Sequence, residues 1–210
     1  YMKVQAALKK IKENDIEAIP LRMQFFYLRG MLHAVTNKKP DEVLFDFTQI
    51  LDDLDEKHQT IFTQLADVGS GITYTRIHQP ARADFFFKKA HEFINATLAP
   101  AEAKQLNSDY LRILTLCFYT ANYYANKDNY KVSDQLIKKG IALCSQKHVT
   151  YYLPRLKFLA AENARHQGAE KEDISQLLDE ALAFARLNHN EVIELRVAAF
   201  KNGFITKIKE

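Results

Sequence analysis

The sequence predicts an all-α fold of stacked helical hairpins, and three observations carry that prediction. Of its 210 residues, 47% are apolar and 26% charged, enough to build a sizeable continuous core. Glycines number six and prolines five, and β-branched residues never gather into alternating runs, so a turn-rich sheet fold has no support. Helical periodicity runs almost from end to end. Pro20, Pro40, Pro80 and Pro100 punctuate it, each preceding an amphipathic stretch, where the first turn of a helix tolerates proline.

Between these prolines and the polar breaks the spacing predicts about ten helices. They cover residues 1–13, 17–36, 40–54, 56–78, 81–97, 101–126, 129–147, 151–167, 171–188 and 190–208. Connections of a few residues make neighbours pack antiparallel. The pattern also repeats: Gly71, Tyr74, Ala83, Phe87 and Ala90 are followed 50 positions later by Ala121, Tyr124, Ser133, Ile137 and Gly140. A looser copy, Met31, Ala34, Val43, Phe47 and Ile50, stands 40 positions upstream of the first set, and another ends in Ile174, Leu178 and Ala181.

Small residues at these positions let two helices approach, and the large ones fill the space between them, which is the tetratricopeptide pattern. A period of 40 to 50 exceeds the 34 of the standard repeat, so longer helices are expected. The prediction is one domain, residues 1–210, forming a tetratricopeptide-like helical hairpin solenoid wound as a right-handed superhelix, with 190–208 as a capping helix.

The net charge of +3 comes from 29 basic and 26 acidic residues spread through every segment, without the basic stripe of a nucleic-acid surface. Cys117 and Cys144 fit neither a disulfide framework nor a metal or redox spacing, so they are expected to be buried apolar groups in a reducing cytoplasm. No apolar run approaches the roughly 18 to 20 residues that span a bilayer, and no leader pattern opens the sequence. The chain begins within an apparent helix, and a longer parent protein is expected.

Residues that could carry chemistry are sparse. No two of the seven histidines stand at the i, i+4 spacing of a helical metal site, and His33, His58, His91, His148 and His189 are expected at helix ends or polar faces. Gly69-Ser70-Gly71 lacks the lysine and hydroxyl residue of a phosphate loop and reads as tight helix packing. Asp52, Asp53, Asp55 and Glu56 read as a solvated helix end rather than a calcium loop. With no nucleophile elbow and no Cys/His signature, no catalytic residue, cofactor or metal is predicted, and the chain is read as a binding protein.

In a tetratricopeptide array the first helix of each hairpin lines the inner wall. Asn122 is placed there, Asn163 follows 41 residues later and Asn202 a further 39, and a ladder of asparagines is expected on one wall. Each offers a donor and an acceptor matching the main chain of an extended peptide. Arg76 is expected to hold a carboxylate, Phe118 and Tyr119 to form apolar pockets, and Asn126 to lie nearby. The alternative is that these asparagines end helices or sit in solvent. A second functional expectation is a protein-protein scaffold docking the extended tail of a partner, which calls for a clamp of several basic residues, of which Arg76 alone is evident.

The stretch DNYKVSDQLIKKGIALCSQKHVTYYLPRLKFLAAENARHQG, from Asp128 to Gly168, resembles the carboxy-terminal half of the Rgg/GadR/MutR-type transcriptional regulators, within the wider PlcR-like (RRNPP) group of peptide sensors. The similar features are an aromatic after a short loop, a helix with apolar residues at 132, 136, 137 and 141, a basic connector and a helix ending in glycine. The resemblance implies a ligand-sensing domain that holds a short quorum-sensing peptide in its groove. It also implies homodimerisation through the carboxy-terminal repeats. Nothing in the first 20 residues resembles a helix-turn-helix, so DNA contact is expected only through a separate amino-terminal domain.

Overall fold

The computed structural model describes residues 2–36, 38–99 and 109–206, with side chains from 4 to 203 of these. It is all-helical, with no strand among the described residues, and its helices pack as neighbouring hairpins. The chain divides into two compact units, residues 1–105 and 106–210.

In the first unit, α1 (Met2–Leu8) and a 3₁₀ turn (Glu13–Asp15) lead into α2 (Ile19–Val35). Next come α3 (Pro40–Thr48), prolonged by a π-helical stretch (Gln49–Leu54), then α4 (Ile61–Arg76) and α5 (Pro80–Thr97). The hairpins are α2/α3 and α4/α5, with α4 also packed on α2 and α3. The second unit holds α6 (Tyr110–Ala125), α7 (Tyr130–Gln146), α8 (Leu153–His166), α9 (Lys171–Leu187) and α10 (Glu191–Thr206). Its hairpins are α6/α7 and α8/α9; α8 packs on α6 and α7, and α10 covers α9 and α8.

Proline opens α2, α3, α5 and α8 within the first two helical positions, where its missing N–H costs nothing. Five helices, α4 and α6 to α9, end alike. Beyond the stop stands a residue with positive φ: His78 (56°), Asp128 (56°), His148 (52°), Gly168 (75°) or His189 (52°). The next N–H then reaches back five residues, as in Gln79 to the Tyr74 carbonyl (2.9 Å), Asn129 to Tyr124 (2.9 Å) and Asn190 to Ala185 (2.8 Å). This is the Schellman closure, which satisfies carbonyls left open by the helix end. Histidine and aspartate are among the few side chains enriched at positive φ, so glycine is needed at only one of the five turns.

These turns set the true register of the repeat. In the second unit they fall at 128, 148, 168 and 189, steps of 20, 20 and 21 residues, so a hairpin recurs every 40 or 41. The 50-residue spacing between the two strong sequence copies includes extra chain between α5 and α6, of which residues 100–108 lie outside the described ones.

The repeat positions form the cores. Ala34, Val43, Phe47, Ile50, Ala83, Phe87 and Ala90 in the first unit, and Ala121, Ser133, Ile137, Ile174, Leu178 and Ala181 in the second, are at most 3% exposed. Phe47 occupies a slot that only glycines permit: a Cβ on Gly69 would fall 2.0 Å from its ring and one on Gly30 2.7 Å. A Cβ on Gly71 would meet Phe87 at 2.8 Å. Gly69-Ser70-Gly71 is thus a packing element. A helix-interior glycine costs about 1 kcal/mol against alanine, and burying a phenylalanine returns roughly 1.5 to 3 kcal/mol.

Several predicted boundaries move. Helix 1–13 breaks after Leu8, and Glu13 in the short turn lies 3.6 Å from Arg29 of α2. Helix 56–78 starts only at Ile61, because Asp55 is not solvated like its exposed neighbours Asp52, Asp53 and Glu56. It is 7% exposed and accepts from the N–H groups of Gln59 (3.0 Å) and Thr60 (2.9 Å) and from the hydroxyls of Thr60 (2.8 Å) and Thr63 (2.5 Å). Thr60 in turn caps α4 through the N–H of Phe62. Helix 101–126 is described from Tyr110, and the end of 190–208 beyond Thr206 lies outside the described residues.

Two outcomes are expected. Gly69→Ala should lower stability by about 2 kcal/mol or more in urea unfolding, since the inserted methyl collides with a ring that has no room to retreat; an unchanged midpoint would mean that Phe47 moves freely. Burial pushes the Asp55 carboxyl up, but hydrogen bonds from Thr63, Thr60 and Gln59 outweigh it and hold its pKa below the ordinary 3.8. Asp55 therefore adds stability above pH 4, lost as pH falls through its lowered folded value. Asp55→Ala should cost about 1 to 3 kcal/mol at pH 7, and the gap from the parent should narrow in unfolding series run down to pH 3.

Candidate functional site

In the second unit α6 turns Ile113, Leu114, Leu116, Cys117 and Ala121 into the core, each at most 1% exposed. Phe118, Tyr119, Asn122 and Ala125 are left half-buried along a neighbouring strip, with Phe118, Asn122 and Asn126 spaced to share one face. The start of α8 lies beside this strip. Phe118 packs edge-on to Tyr119 (5.2 Å between centroids) and tilted against Tyr152 (6.3 Å), which meets Tyr151 at 5.4 Å.

Arg155, in the first turn of α8, sets its guanidinium carbon 5.7 Å from the Phe118 ring, 5.9 Å from Tyr151 and 5.7 Å from Tyr152. The collar is anchored by the Tyr152 hydroxyl, 2.6 Å from Thr115 Oγ1. Because the Thr115 hydroxyl donates to the Leu111 carbonyl at 2.9 Å, Tyr152 is the donor in that pair. Burial pushes the Tyr152 phenol up to about 12, so it keeps its proton at neutral pH.

Phe118, Tyr119 and Asn122 are therefore brought together on α6, and the Asn122 side chain makes no hydrogen bond with another described residue. Asn126 is exposed at the end of α6, and Asn202 is exposed near the end of α10. Asn163, however, is not on an open wall. It is 1% exposed, and its Nδ2 donates to Ser133 Oγ (2.9 Å) and Asp134 Oδ1 (2.7 Å), fastening α8 to α7. The register of the turns explains the error. Asp128 and Gly168 are 40 apart, so the counterpart of Asn122 is Glu162, and counting 41 rotates the position by about 100° into the core.

Arg76 is also reassigned. It belongs to the first unit, and its guanidinium donates to the main-chain carbonyls of Ala34 (2.6 Å) and Lys38 (3.3 Å), covering the end of α2. Sequence reasoning missed Arg155, Tyr151 and Tyr152. The available signal was a Tyr-Tyr pair ahead of Pro154 and an arginine whose helical neighbours, Tyr151, Tyr152, Phe158 and Leu159, include no acid.

Other polar groups serve packing. Asp46, 1% exposed, accepts from Arg29 Nε at 2.8 Å and lies 3.4 Å from His33 Nδ1; burial raises its pKa, opposed by Arg29. Asp67, equally buried, is 2.7 Å from Lys89 Nζ and ties α4 to α5. Burial pushes the Cys117 and Cys144 thiols up to about 12 and about 11, which leaves them protonated and poorly nucleophilic. A cleft of about 580 Å³ lies between α7, the following turn and α9, lined by Ile141, Leu153 and Phe184, with the Lys157–Glu180 ion pair among its walls.

No family model, curated protein or solved structure matches the chain. No helix among the described residues is long and apolar enough to cross a membrane.

Proposed function

We propose that this chain is the ligand-sensing and dimerisation part of a peptide-responsive transcriptional regulator, acting on a separate DNA-binding domain, with the α6–α8 face as the seat of a short signalling peptide. The observation that supports this reading is a half-buried asparagine amide, Asn122, left without a hydrogen bond among the described residues on the same strip as Phe118 and beside Tyr119. An amide at that place pairs with the N–H and C=O of one residue of an extended peptide, and the rings take its apolar side chains.

The magnitudes fit a short peptide. Aromatic contacts contribute about 0.5 to 1.5 kcal/mol each and a neutral hydrogen bond about 1 kcal/mol, while micromolar affinity requires about 8 kcal/mol. Several contacts are then needed at once, which a strip of side chains supplies and a single pocket does not. Because α8 rests on both α6 and α7, a peptide that prefers one arrangement of this pair shifts the population toward it.

The end of α9 and the outer side of α10 support homodimerisation. Ile193, Val197 and Phe200 of α10 join the core cluster, yet Leu187, Val192 and Leu195 are 64%, 64% and 72% exposed. A helix apolar on both sides calls for cover on the outer one.

Isothermal titration with pools of apolar hexapeptides should find micromolar binders whose affinity falls about fivefold or more in Asn122→Ala, a loss of roughly 1 kcal/mol. The same variant should unfold as the parent does, whereas Asn163→Ala should lose about 2 kcal/mol of stability by stranding Asp134 and Ser133. Full affinity in Asn122→Ala would remove the proposed seat. In sedimentation equilibrium the parent should be a dimer and Leu195→Glu a monomer of undiminished helicity; a monomeric parent would defeat the dimer.

A further inference from the structure

The cations of α6 and α8 differ in how their charge is met. Arg112 pairs with Asp109 at 2.5 Å, Lys157 pairs with Glu180, and Arg165 lies 5.0 Å over the Phe200 ring. Among the described residues no carboxylate pairs with Arg155 and no acceptor takes its N–H groups; its contacts are the three rings. The sequence of α6 contains no acid at all, and the one acid of α8, Glu162, is held by Arg196 through both oxygens at 3.0 and 3.2 Å.

A half-buried guanidinium among aromatic rings is restrained and partly stripped of water, which strengthens its attraction for an anion. Ring contact does not use its donors. Five N–H groups in a planar fork remain, and their geometry matches the two oxygens of a carboxylate better than a point anion.

We propose that Arg155 is the receiving point for a carboxylate of the ligand, either the chain-end carboxylate of a peptide or an Asp or Glu side chain within it. This rests on the α6–α8 face being the peptide's seat. The aromatic collar makes the site selective: exposed Tyr151 and half-buried Phe118, backed by the buried Tyr152, offer apolar surface to the residue that carries the acid, so a carboxylate attached to a large apolar group is preferred over a small hydrophilic anion. Tyr152 holds the collar in place through Thr115, on the opposite helix, so occupancy of Arg155 bears on the contact between α6 and α8.

The test uses defined probes on the whole chain. N-acetyl-phenylalanine, N-acetyl-phenylalaninamide, N-acetyl-glutamate α-amide and acetate are titrated while the Arg155 Nε–Hε resonance is followed by NMR, assigned by its loss in Arg155→Lys. The aromatic acid should shift that resonance saturably and bind about tenfold tighter than its amide, with acetate weaker than either acid. Arg155→Gln should abolish the preference for acid over amide, and Arg155→Lys should keep part of it, which also guards against a folding defect in one variant. A stronger response to phenylalanine assigns the site to a chain end, and one to the glutamate probe assigns it to a side chain. Equal shifts by acid and amide, or a preference that survives in Arg155→Gln, would overturn the proposal. Hexapeptides that bind through Asn122 but ignore amidation of their ends and neutralisation of their acidic side chains would sink this inference alone. Acids that dock at Arg155 while no hexapeptide binds would instead sink the peptide-receptor reading.

Discussion

Two helices can run side by side at close range only where one of them gives up a side chain. In the first unit that condition is met around Phe47, whose ring lies against the bare backbone at Gly30 and Gly69. In the second, Gly140 plays a milder version beneath Leu156, where a Cβ would stand 3.0 Å from the side chain. From these approaches follow which faces of the helices are buried and which strips remain outside. The interior is dense enough that one methyl group decides between fit and collision. The functional proposals depend on this, because a half-buried strip on α6 has meaning only if its opposite face is fixed.

Much of this was legible because it is local and periodic. Small and large residues at Ala34, Phe47, Ala83, Phe87, Ala121 and Ile137 declare their burial by spacing alone. What was not legible depended on phase. A turn closed by His148 or His189 in a left-handed conformation looks like any polar break, so the 20-residue step was hidden and Asn163 was counted one position out. That single residue separates a wall from a core. Arg76 failed for a different reason: periodicity says nothing of main-chain carbonyls 42 residues away at the end of another helix. Asp55 likewise became a buried cap only when Thr60 and Thr63 were brought round to meet it.

The collar on Arg155 and the buried pairs of the first unit show two uses of charge. Arg29 with Asp46 and Lys89 with Asp67 are matched internally, so they fix which helices meet. Arg155 is matched to rings instead. Rings hold a cation without cancelling it, so the charge of Arg155 is retained where those of Arg29 and Lys89 are met by a carboxylate.

The helix ends carry an implication for how such a chain changes over generations. Each closure is made by main-chain groups and asks of the sequence only a residue that tolerates positive φ, so it is portable. A single helix with its turn, not the pair, is then the smallest piece that can be gained or dropped without disturbing the joints on either side.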